Sequence, residues 1–255
     1  MSIIDSFEPN GEVIINAKDV IKKSDIKLDV CIINFSYHIM DNLISDGLVE
    51  LIDDETVSSV ACKYPIYRYI GTNIGVMKTT VGAPITTGLM QEIAYAFTCS
   101  NFVLFGSCGS LDRQISEGKI IVPTYAYRDE GTSYHYASPS DYIEIKNSQK
   151  IVEILAKLNI DYVLGKIWTT DAFYRETRNQ LQKRKSEGCI AVDMEISACQ
   201  AVADFYGYSF YPILYRADNL DSSKWEHGIL ENISTDERLK TFFVALEIAK
   251  NIMEG

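Results

Sequence analysis

The 255-residue chain predicts a single-domain α/β protein, because short strand-like runs alternate with segments of helical periodicity. The strand-like runs are apolar, rich in β-branched residues and bounded by turn-forming residues. They are Val30–Phe35, Phe102–Phe105, Ile120–Val122, Ile190–Met194 and Phe210–Tyr215. No internal repeat and no linker rich in proline, glycine or serine interrupts the sequence, which favours one domain over residues 1–255.

Three other segments have apolar residues every three or four positions, the spacing of a helix with one buried face. The apolar positions are Ile85, Leu89, Ile93 and Phe97 in the first segment, Ile196, Cys199, Val202 and Tyr206 in the second, and Leu239, Phe242, Leu246 and Met253 in the third. Pro84 fits the first turn of the first predicted helix. Ser234 and Glu237 match a capping box at the start of the third.

The stretch Tyr125–Tyr142 is polar and has no periodicity, which predicts a long loop. Loops of this length in compact domains are usually either functional or disordered. The five tyrosines of this stretch favour an ordered loop that faces a ligand or a neighbouring subunit.

The formal net charge of −11 makes nucleic acid and anionic membranes poor partners for this chain, although a small anion can still bind to a local group of backbone N–H donors. The six cysteines are dispersed without a Cys-x-x-Cys pair, which predicts reduced, mostly buried thiols. The sequence shows no signal-peptide pattern and no apolar run of about 18 residues, so we expect a cytoplasmic protein. The three histidines are far apart, and no metal site is expected.

Two segments place glycine beside the end of a predicted strand or the start of a predicted helix. Gly106-Ser107-Cys108-Gly109 follows the run Phe102–Phe105, and its glycines fit either a ligand that approaches the backbone closely or a simple tight turn. Gly82 precedes the helix that Pro84 opens, where exposed N–H groups and the helix dipole suit an anion. A plain connection between strand and helix is the alternative at Gly82.

Aromatic and acidic residues follow three further apolar segments. Phe173 and Tyr174 can offer a stacking face for a planar base, although aromatic residues at such a place are also typical of a core. Glu195 follows a strand end, where a carboxylate can accept hydrogen bonds from two ribose hydroxyls or interact with a helix dipole. Asp218 ends the last run and can act either as a proton donor or as a turn residue.

Together and in this order, these motifs resemble the nucleoside phosphorylase family, which includes hexameric purine nucleoside phosphorylases, uridine phosphorylases and adenosylhomocysteine-type nucleosidases. The matching segments are Gly82–Glu92, Gly106–Leu111, Arg128–Tyr136, Asp171–Tyr174, Val192–Glu195 and Ala217–Asp218. The resemblance spans residues 71 to 220. It implies a three-layer α/β/α domain with a central mixed, partly barrel-like sheet, and a homo-oligomer, either a dimer or a trimer of dimers.

The resemblance also implies a role for each matching position in a site for a nucleoside and phosphate. The base contacts are Phe173, Cys108, Gly109 and Val192, the ribose contacts are Met194 and Glu195, and the phosphate contacts are Ser107 and Gly82. Inorganic phosphate is then a co-substrate, and no other cofactor is expected.

Asp218 matches the acid that purine-specific members of the family use at N7 of the base. Pyrimidines have no N7, so this residue favours a purine substrate. A free aspartate has a pKa of about 3.9 and is protonated in only about one molecule in a thousand at pH 7, so the role requires a raised pKa or a shared proton. Arg216 would share a face with Asp218 in a regular strand and would lower that pKa.

The sequence departs from the family pattern where phosphate would bind. Asn34–His38 stands in place of the Gly-Asp-Pro-x-Arg loop of the phosphorylases, and Leu104 stands in place of a second phosphate-binding arginine. Charge-assisted hydrogen bonds are worth about 1.5–3 kcal/mol each, so the loss is substantial. Either Arg68, His38 or an arginine of a neighbouring subunit replaces them, or water is the nucleophile. Glu12 is a poor match to the catalytic glutamate of the hydrolytic branch.

We therefore expect phosphorolysis of a purine nucleoside, which gives a free base and ribose 1-phosphate. The alternatives are, in order, a hydrolytic nucleosidase, a uridine phosphorylase and a non-catalytic nucleoside-binding protein on the same scaffold.

Overall fold

The computed structural model of the chain describes residues 2–57, 62–112, 114, 118–222, 225–226 and 235–254. Ser234, predicted to cap the last helix, lies outside the described residues. Ten strands form one mixed sheet. They are β1 (Val30–Asn34), β2 (Val49–Asp53), β3 (Ile66–Tyr69), β4 (Ile74–Lys78), β5 (Asn101–Ser110), β6 (Ile120–Asp129), β7 (Tyr142–Glu144), β8 (Tyr162–Thr170), β9 (Cys189–Asp193) and β10 (Ser209–Asn219).

The sheet closes on itself at one end. Its strand order is β10-β6-β8-β9-β5-β1-β4-β3-β2, with β7 paired to β6, and β10 pairs with β5 as well as with β6. The strands β5, β10, β6, β8 and β9 therefore form a closed five-stranded barrel, while β1 to β4 extend from it as an open sheet. Parallel and antiparallel pairs both occur in the barrel, so the predicted mixed, partly barrel-like sheet is confirmed.

Helices cover both faces of the sheet. They are α1 (Ala17–Val20), α2 (Tyr37–Ser45), α3 (Ala83–Ala96), α4 (Ser148–Lys157), α5 (Arg178–Ser186), α6 (Ile196–Tyr206) and α7 (Thr235–Glu254). The buried side chains of α3 and α6 join one hydrophobic core, and those of α2, α4 and α7 join a second. Two cores separated by one sheet make the predicted three-layer α/β/α arrangement, which is confirmed. Within the described residues, no helix is long and apolar enough to cross a membrane.

The predicted helices are present, with small differences in their buried faces. Pro84 lies in the first turn of α3, as predicted, and Gly82 precedes the helix with φ +126°. Leu89 and Ile93 are buried, but Ile85 is 39% exposed, and Ala83 and Thr86 are buried in the first turns of α3 instead. In α7, Met253 is likewise largely exposed.

The prediction of a loop over Tyr125–Tyr142 is wrong in its first part. Strand β6 continues to Asp129, and a 3-10 turn covers Thr132–His135. The polar sequence misled because Arg128 is buried in this strand, where its guanidinium lies 4.2 Å from the ring centre of Tyr134. The hydroxyl of Tyr134 donates to the carbonyl of Arg128 at 2.9 Å, so the segment is held by its own side chains.

Five of the six cysteines are buried and Cys62 is exposed, which confirms the prediction of mostly buried free thiols. Five strands, β2, β3, β4, β7 and β8, are absent from the predicted runs. Three of them, β2, β3 and β7, are short and give no clear sequence signal. Their residues are partly exposed and include charged side chains, so they lack the continuous apolar run of the central strands.

Candidate active site

A cavity of about 590 Å³ lies where β5, β9 and β10 meet the segment that follows β8. This volume is within the usual range for small-molecule sites. Every predicted site residue except Gly82 lines it, and Val81 brings the chain next to Gly82 to its wall. Tyr174, which the sequence offered as a stacking residue beside Phe173, lines it as well. Further lining residues that the sequence reasoning did not assign to the site are Phe35, Glu176, Arg178, Leu181, Leu220 and Trp225.

The Gly106-Ser107-Cys108-Gly109 segment is strand, and the tight-turn alternative is wrong. All four residues belong to β5. A Cβ atom added at Gly109 would lie 2.5 Å from Cδ1 of Leu220 and 2.8 Å from Cγ1 of Val192, so the glycine allows neighbouring barrel strands to approach closely. Ser107 is exposed to the cavity, while Cys108 is buried.

The two acids at the end of β9 have different roles. Asp193 caps α6, because its Oδ2 accepts the backbone N–H groups of Glu195 at 2.8 Å and Ile196 at 2.7 Å. Its Oδ1 accepts the hydroxyl of Thr169 at 2.6 Å. Glu195 stands at the N-cap position of α6, but Asp193 supplies the side-chain capping bonds, and the Glu195 side chain lines the cavity.

At one end of the cavity, the Glu195 carboxylate contacts the backbone of Gly82. The N–H of Gly82, predicted to contact phosphate, donates to Oε1 of Glu195 at 2.7 Å. Burial raises the pKa of Glu195, and the charge of Asp193 raises it further. Burial also raises the pKa of Asp193, against the opposing effect of its hydrogen-bond donors. This end of the cavity therefore holds two carboxyl groups with a high affinity for protons.

Phe173 and Tyr174 form an aromatic face at the other end of the cavity. Both follow β8, in a 3-10 turn that covers Phe173–Arg175, and they are 50% and 89% exposed, so the core interpretation is wrong for both. Their ring centroids are 4.1 Å apart at an interplanar angle of 42°. An exposed aromatic surface beside a cavity suits a planar ligand.

Asp218 and Arg216 do not share a face of β10. The strand pairs Arg216 with Cys108 and Asp218 with Gly109, so Ala217 is an extra residue between two successive register positions. A bulge of this kind reverses the alternation of side chains, and it separates two residues that a regular strand would align. Asp218 lines the cavity and Arg216 does not.

Trp225 contacts Asp218 directly. Its indole Nε1–H donates to Oδ2 of Asp218 at 2.7 Å. The backbone groups of Asn219 and Glu226 pair at 3.1 and 3.3 Å, which returns the chain towards β10 and brings Trp225 to the cavity. The sequence contains only two tryptophans, and this one lies seven residues after Asp218, but no periodicity connects the two positions.

Glu176 is a second acid at the aromatic end. It comes three residues after Phe173 and is partly buried in the cavity wall. Burial, and then the negative charge of Asp218, raise the pKa of Glu176 to about 7. The sequence signal that could have indicated Glu176 as a site residue is its position directly after the segment that contains Phe173 and Tyr174.

Positive charge is scarce around the cavity. Among its described lining residues, Arg178 is the single cationic one. Leu104, at the position of a phosphate-binding arginine, is buried in the core. Arg68 forms an ion pair with Glu50 at 2.6 Å on the open part of the sheet, and neither Arg68 nor His38 lines the cavity.

Two other predicted features lie away from the cavity. None of the tyrosines of the Tyr125–Tyr142 stretch, all of which are described, lines it, so the ligand-facing interpretation of that stretch is not supported. Glu12 is exposed on the N-terminal segment and does not line it either.

The closed barrel, the helical layers and the cavity at the strand ends together define a nucleoside phosphorylase fold. The chain belongs to the phosphorylase superfamily, whose family model matches residues 37–248. The family resemblance of the sequence motifs is therefore confirmed.

Individual relatives support the same family. A DeoD-type purine nucleoside phosphorylase of Brevibacillus brevis is 26% identical over 184 residues, which are 71% of this chain and 75% of that protein. The structure is similar to that of purine nucleoside phosphorylase from Toxoplasma gondii in complex with immucillin-H, with a TM-score of 0.72, 18% identity and coverage of 96% and 99% of the two chains. It is also similar to a futalosine hydrolase mutant of Helicobacter pylori, with a TM-score of 0.69, 14% identity and coverage of 88% and 99%.

Proposed function

We propose that this protein cleaves the N-glycosidic bond of a purine nucleoside by phosphorolysis and releases a free base and ribose 1-phosphate. One observation carries the proposal: Asp218, Glu195 and Phe173, which come from three different segments, all line the same cavity. The similarity to purine nucleoside phosphorylases supports the choice of reaction.

In the proposed complex, the base packs on Phe173 and the ribose hydroxyls donate to Glu195. The C1′–N9 bond breaks through an oxocarbenium-like state, as in glycoside cleavage generally. Asp218 faces N7 of the base, where a hydrogen bond or proton relieves the charge that develops on the leaving group. Phosphate approaches beside Ser107, and it shares the Gly82 amide with Glu195, whose carboxylate already accepts a hydrogen bond from that amide.

A purine is favoured over a pyrimidine because only a purine offers N7 to Asp218. We expect Asp218→Asn to lower kcat on inosine by about 10² or more, the usual order for the loss of a general acid. Steady-state kinetics with inosine would measure this effect, and an unchanged kcat would remove Asp218 from its assigned role.

Hydrolysis is the second candidate, and the charge of the cavity favours it. Its described lining residues include four acids, Glu176, Asp193, Glu195 and Asp218, against the one cation Arg178. A phosphate dianion meets an unfavourable field there unless an arginine of a neighbouring subunit completes the site. Water has no such requirement.

The deciding experiment is incubation with inosine, adenosine and uridine, each with and without phosphate. Base release that depends on phosphate and yields ribose 1-phosphate supports phosphorolysis, whereas release independent of phosphate supports hydrolysis. Faster cleavage of uridine than of either purine nucleoside contradicts the purine assignment. Binding without release of any base leaves a non-catalytic nucleoside-binding protein.

A further inference from the structure

Two carboxyl groups from different elements line the same cavity. Asp218 comes from β10, and Glu176 comes from the segment that links Phe173 to α5. The negative charge of Asp218 acts on Glu176 and disfavours a second negative charge there. Like charges held close together in a partly desolvated site cannot both ionise easily, so such a pair retains a proton that either member alone would lose.

A hydrogen bond from Trp225 favours a negative charge on one member of the pair, Asp218. Its indole N–H is a donor only, and it points at Oδ2 of Asp218. A donor held against a carboxyl oxygen favours the ionised form of that group. This hydrogen bond therefore favours the arrangement in which Glu176 carries the proton and Asp218 is the carboxylate.

We propose that Glu176 and Asp218 form a carboxyl pair that shares one proton at neutral pH, and that the leaving purine takes this proton. The inference rests on the proposed function and deepens it, since it names a second residue for proton transfer. It also supplies the proton that Asp218 needs for its role at N7, because the indole N–H favours the ionised form of Asp218.

One proton moves from the carboxyl pair to the base during the proposed step. As the C1′–N9 bond breaks, its electron pair passes to the base, and the lone pair of N7 takes the shared proton. Both Glu176 and Asp218 are then carboxylates. C1′ accepts an electron pair from phosphate, or from a water molecule that then releases a proton to solvent. A proton from solvent restores the pair after the base has left.

Other ionisable groups also face this cavity. Arg178 does so from α5, Asp193 and Glu195 from the end of β9, and Cys108 from β5. The pKa of Cys108 is raised, first by burial and then by the charges of Asp193 and Asp218, so its thiol stays neutral and cannot replace Glu176 as the proton source at neutral pH.

The first test compares two substrates in Glu176→Gln. Inosine needs a proton at N7 to leave, whereas 7-methylinosine already carries a positive charge there and leaves without one. We expect kcat for inosine to fall by about tenfold or more while kcat for 7-methylinosine stays within about threefold of the parent value. An equal fall for both substrates would mean that Glu176 has only a structural role, and would overturn the proposal.

The pH profile gives a second readout from the same variant. In the parent protein, kcat for inosine should decline as the pH rises through about 7, because the pair loses its proton there. In Glu176→Gln this decline should move to lower pH, because Trp225 still favours the charged form of Asp218. A decline at the same pH in both proteins contradicts the shared proton. Glu153→Gln, which removes one exposed carboxylate of α4, is the matched control and should leave kcat and the profile unchanged.

An infrared titration tests the pair without relying on activity. One protonated carboxyl band that disappears around neutral pH in the parent should be missing in Glu176→Gln, and its midpoint should fall in Asp218→Asn because the neighbouring charge is gone. Spectra of Glu176→Gln that match those of the parent would refute the pair. A parent protein that releases no base from any nucleoside would refute the proposed function, and the band would still show whether the pair holds a proton.

Discussion

Gly109→Ala tests whether the barrel wall and the proposed acid are packed against each other. An added Cβ at position 109 would lie 2.5 Å from Leu220, 2.8 Å from Val192 and 3.2 Å from Oδ1 of Asp218. Leu220 is partly exposed and can rotate away. Val192 is buried and β-branched, and its backbone pairs with Gly109, so this contact cannot relax without a shift of the strands.

The magnitude follows from two opposing effects. Overpacking of this kind costs about 1–3 kcal/mol, and the lower entropy of the unfolded chain returns about 0.4–1 kcal/mol for a glycine replaced by alanine. We expect a net loss of about 1–2 kcal/mol, which corresponds to a Tm lower by roughly 2–8 °C in a chain of this size. Because Asp218 is one of the three contacts, kcat on inosine should fall as well.

Thermal unfolding followed by circular dichroism, with steady-state kinetics on the same samples, measures both effects. Gly88→Ala is the matched control, since Gly88 lies within α3 and a Cβ there meets nothing within 4 Å. That substitution should raise stability by about 0.5–1 kcal/mol and leave kcat unchanged. If Gly109→Ala behaved as Gly88→Ala does, the reasoning about close packing at β5 would be refuted.

Three further predictions concern Asp193, Gly82 and Glu195, which lie at or beside the same end of the cavity. Asp193→Ala removes the cap of α6 and the hydrogen-bond acceptor of Thr169, so the free energy of unfolding in urea should fall by about 1–2 kcal/mol. An unchanged unfolding midpoint would exclude the capping role. Gly82→Ala forces an L-residue to φ +126° at a strain of roughly 1–3 kcal/mol, which should shift the backbone N–H that donates to Glu195. Steady-state kinetics should then show a higher KM for inosine, whereas Gly88→Ala should leave KM unchanged. Nucleoside affinity, measured by calorimetry, should weaken as the pH falls through the raised pKa of Glu195, because the ribose hydroxyls donate to the carboxylate and protonation removes an acceptor. Affinity independent of pH would contradict the sugar-binding role, and Glu195→Gln should abolish the dependence.

The sequence predicted the features that short segments encode by themselves. Strand-like runs, the helix that begins near Pro84 and the acidic strand end around Glu195 follow from local periodicity and composition, and the family motifs then indicated which segments share a site. The strand character of Gly106–Gly109 was missed because glycine weakens a strand pattern unless close neighbours are known. Those neighbours, Val192 and Leu220, lie far away in sequence.

The rest of the site depends on long-range geometry that local patterns do not contain. The bulge at Ala217 is set by pairing with β5, so the sequence alone could not separate Arg216 from Asp218. Trp225 reaches Asp218 only because the chain turns back after β10. Glu176 acquires its raised pKa from burial and from Asp218, and neither is visible in the segment that contains Glu176.

Closure of the sheet also determines where the backbone can pair with another chain. Strands inside a ring have both neighbours in place, so the barrel strands that carry Ser107 and Asp218 offer no free ladder for strand addition. In the described sheet, the free edges fall on β2 and on the three-residue β7 instead. Strand β2 is short and carries the ion pair of Glu50 with Arg68, which opposes edge-to-edge aggregation. The fold thus separates the wall of its cavity from the edges through which a β-protein is most liable to aggregate.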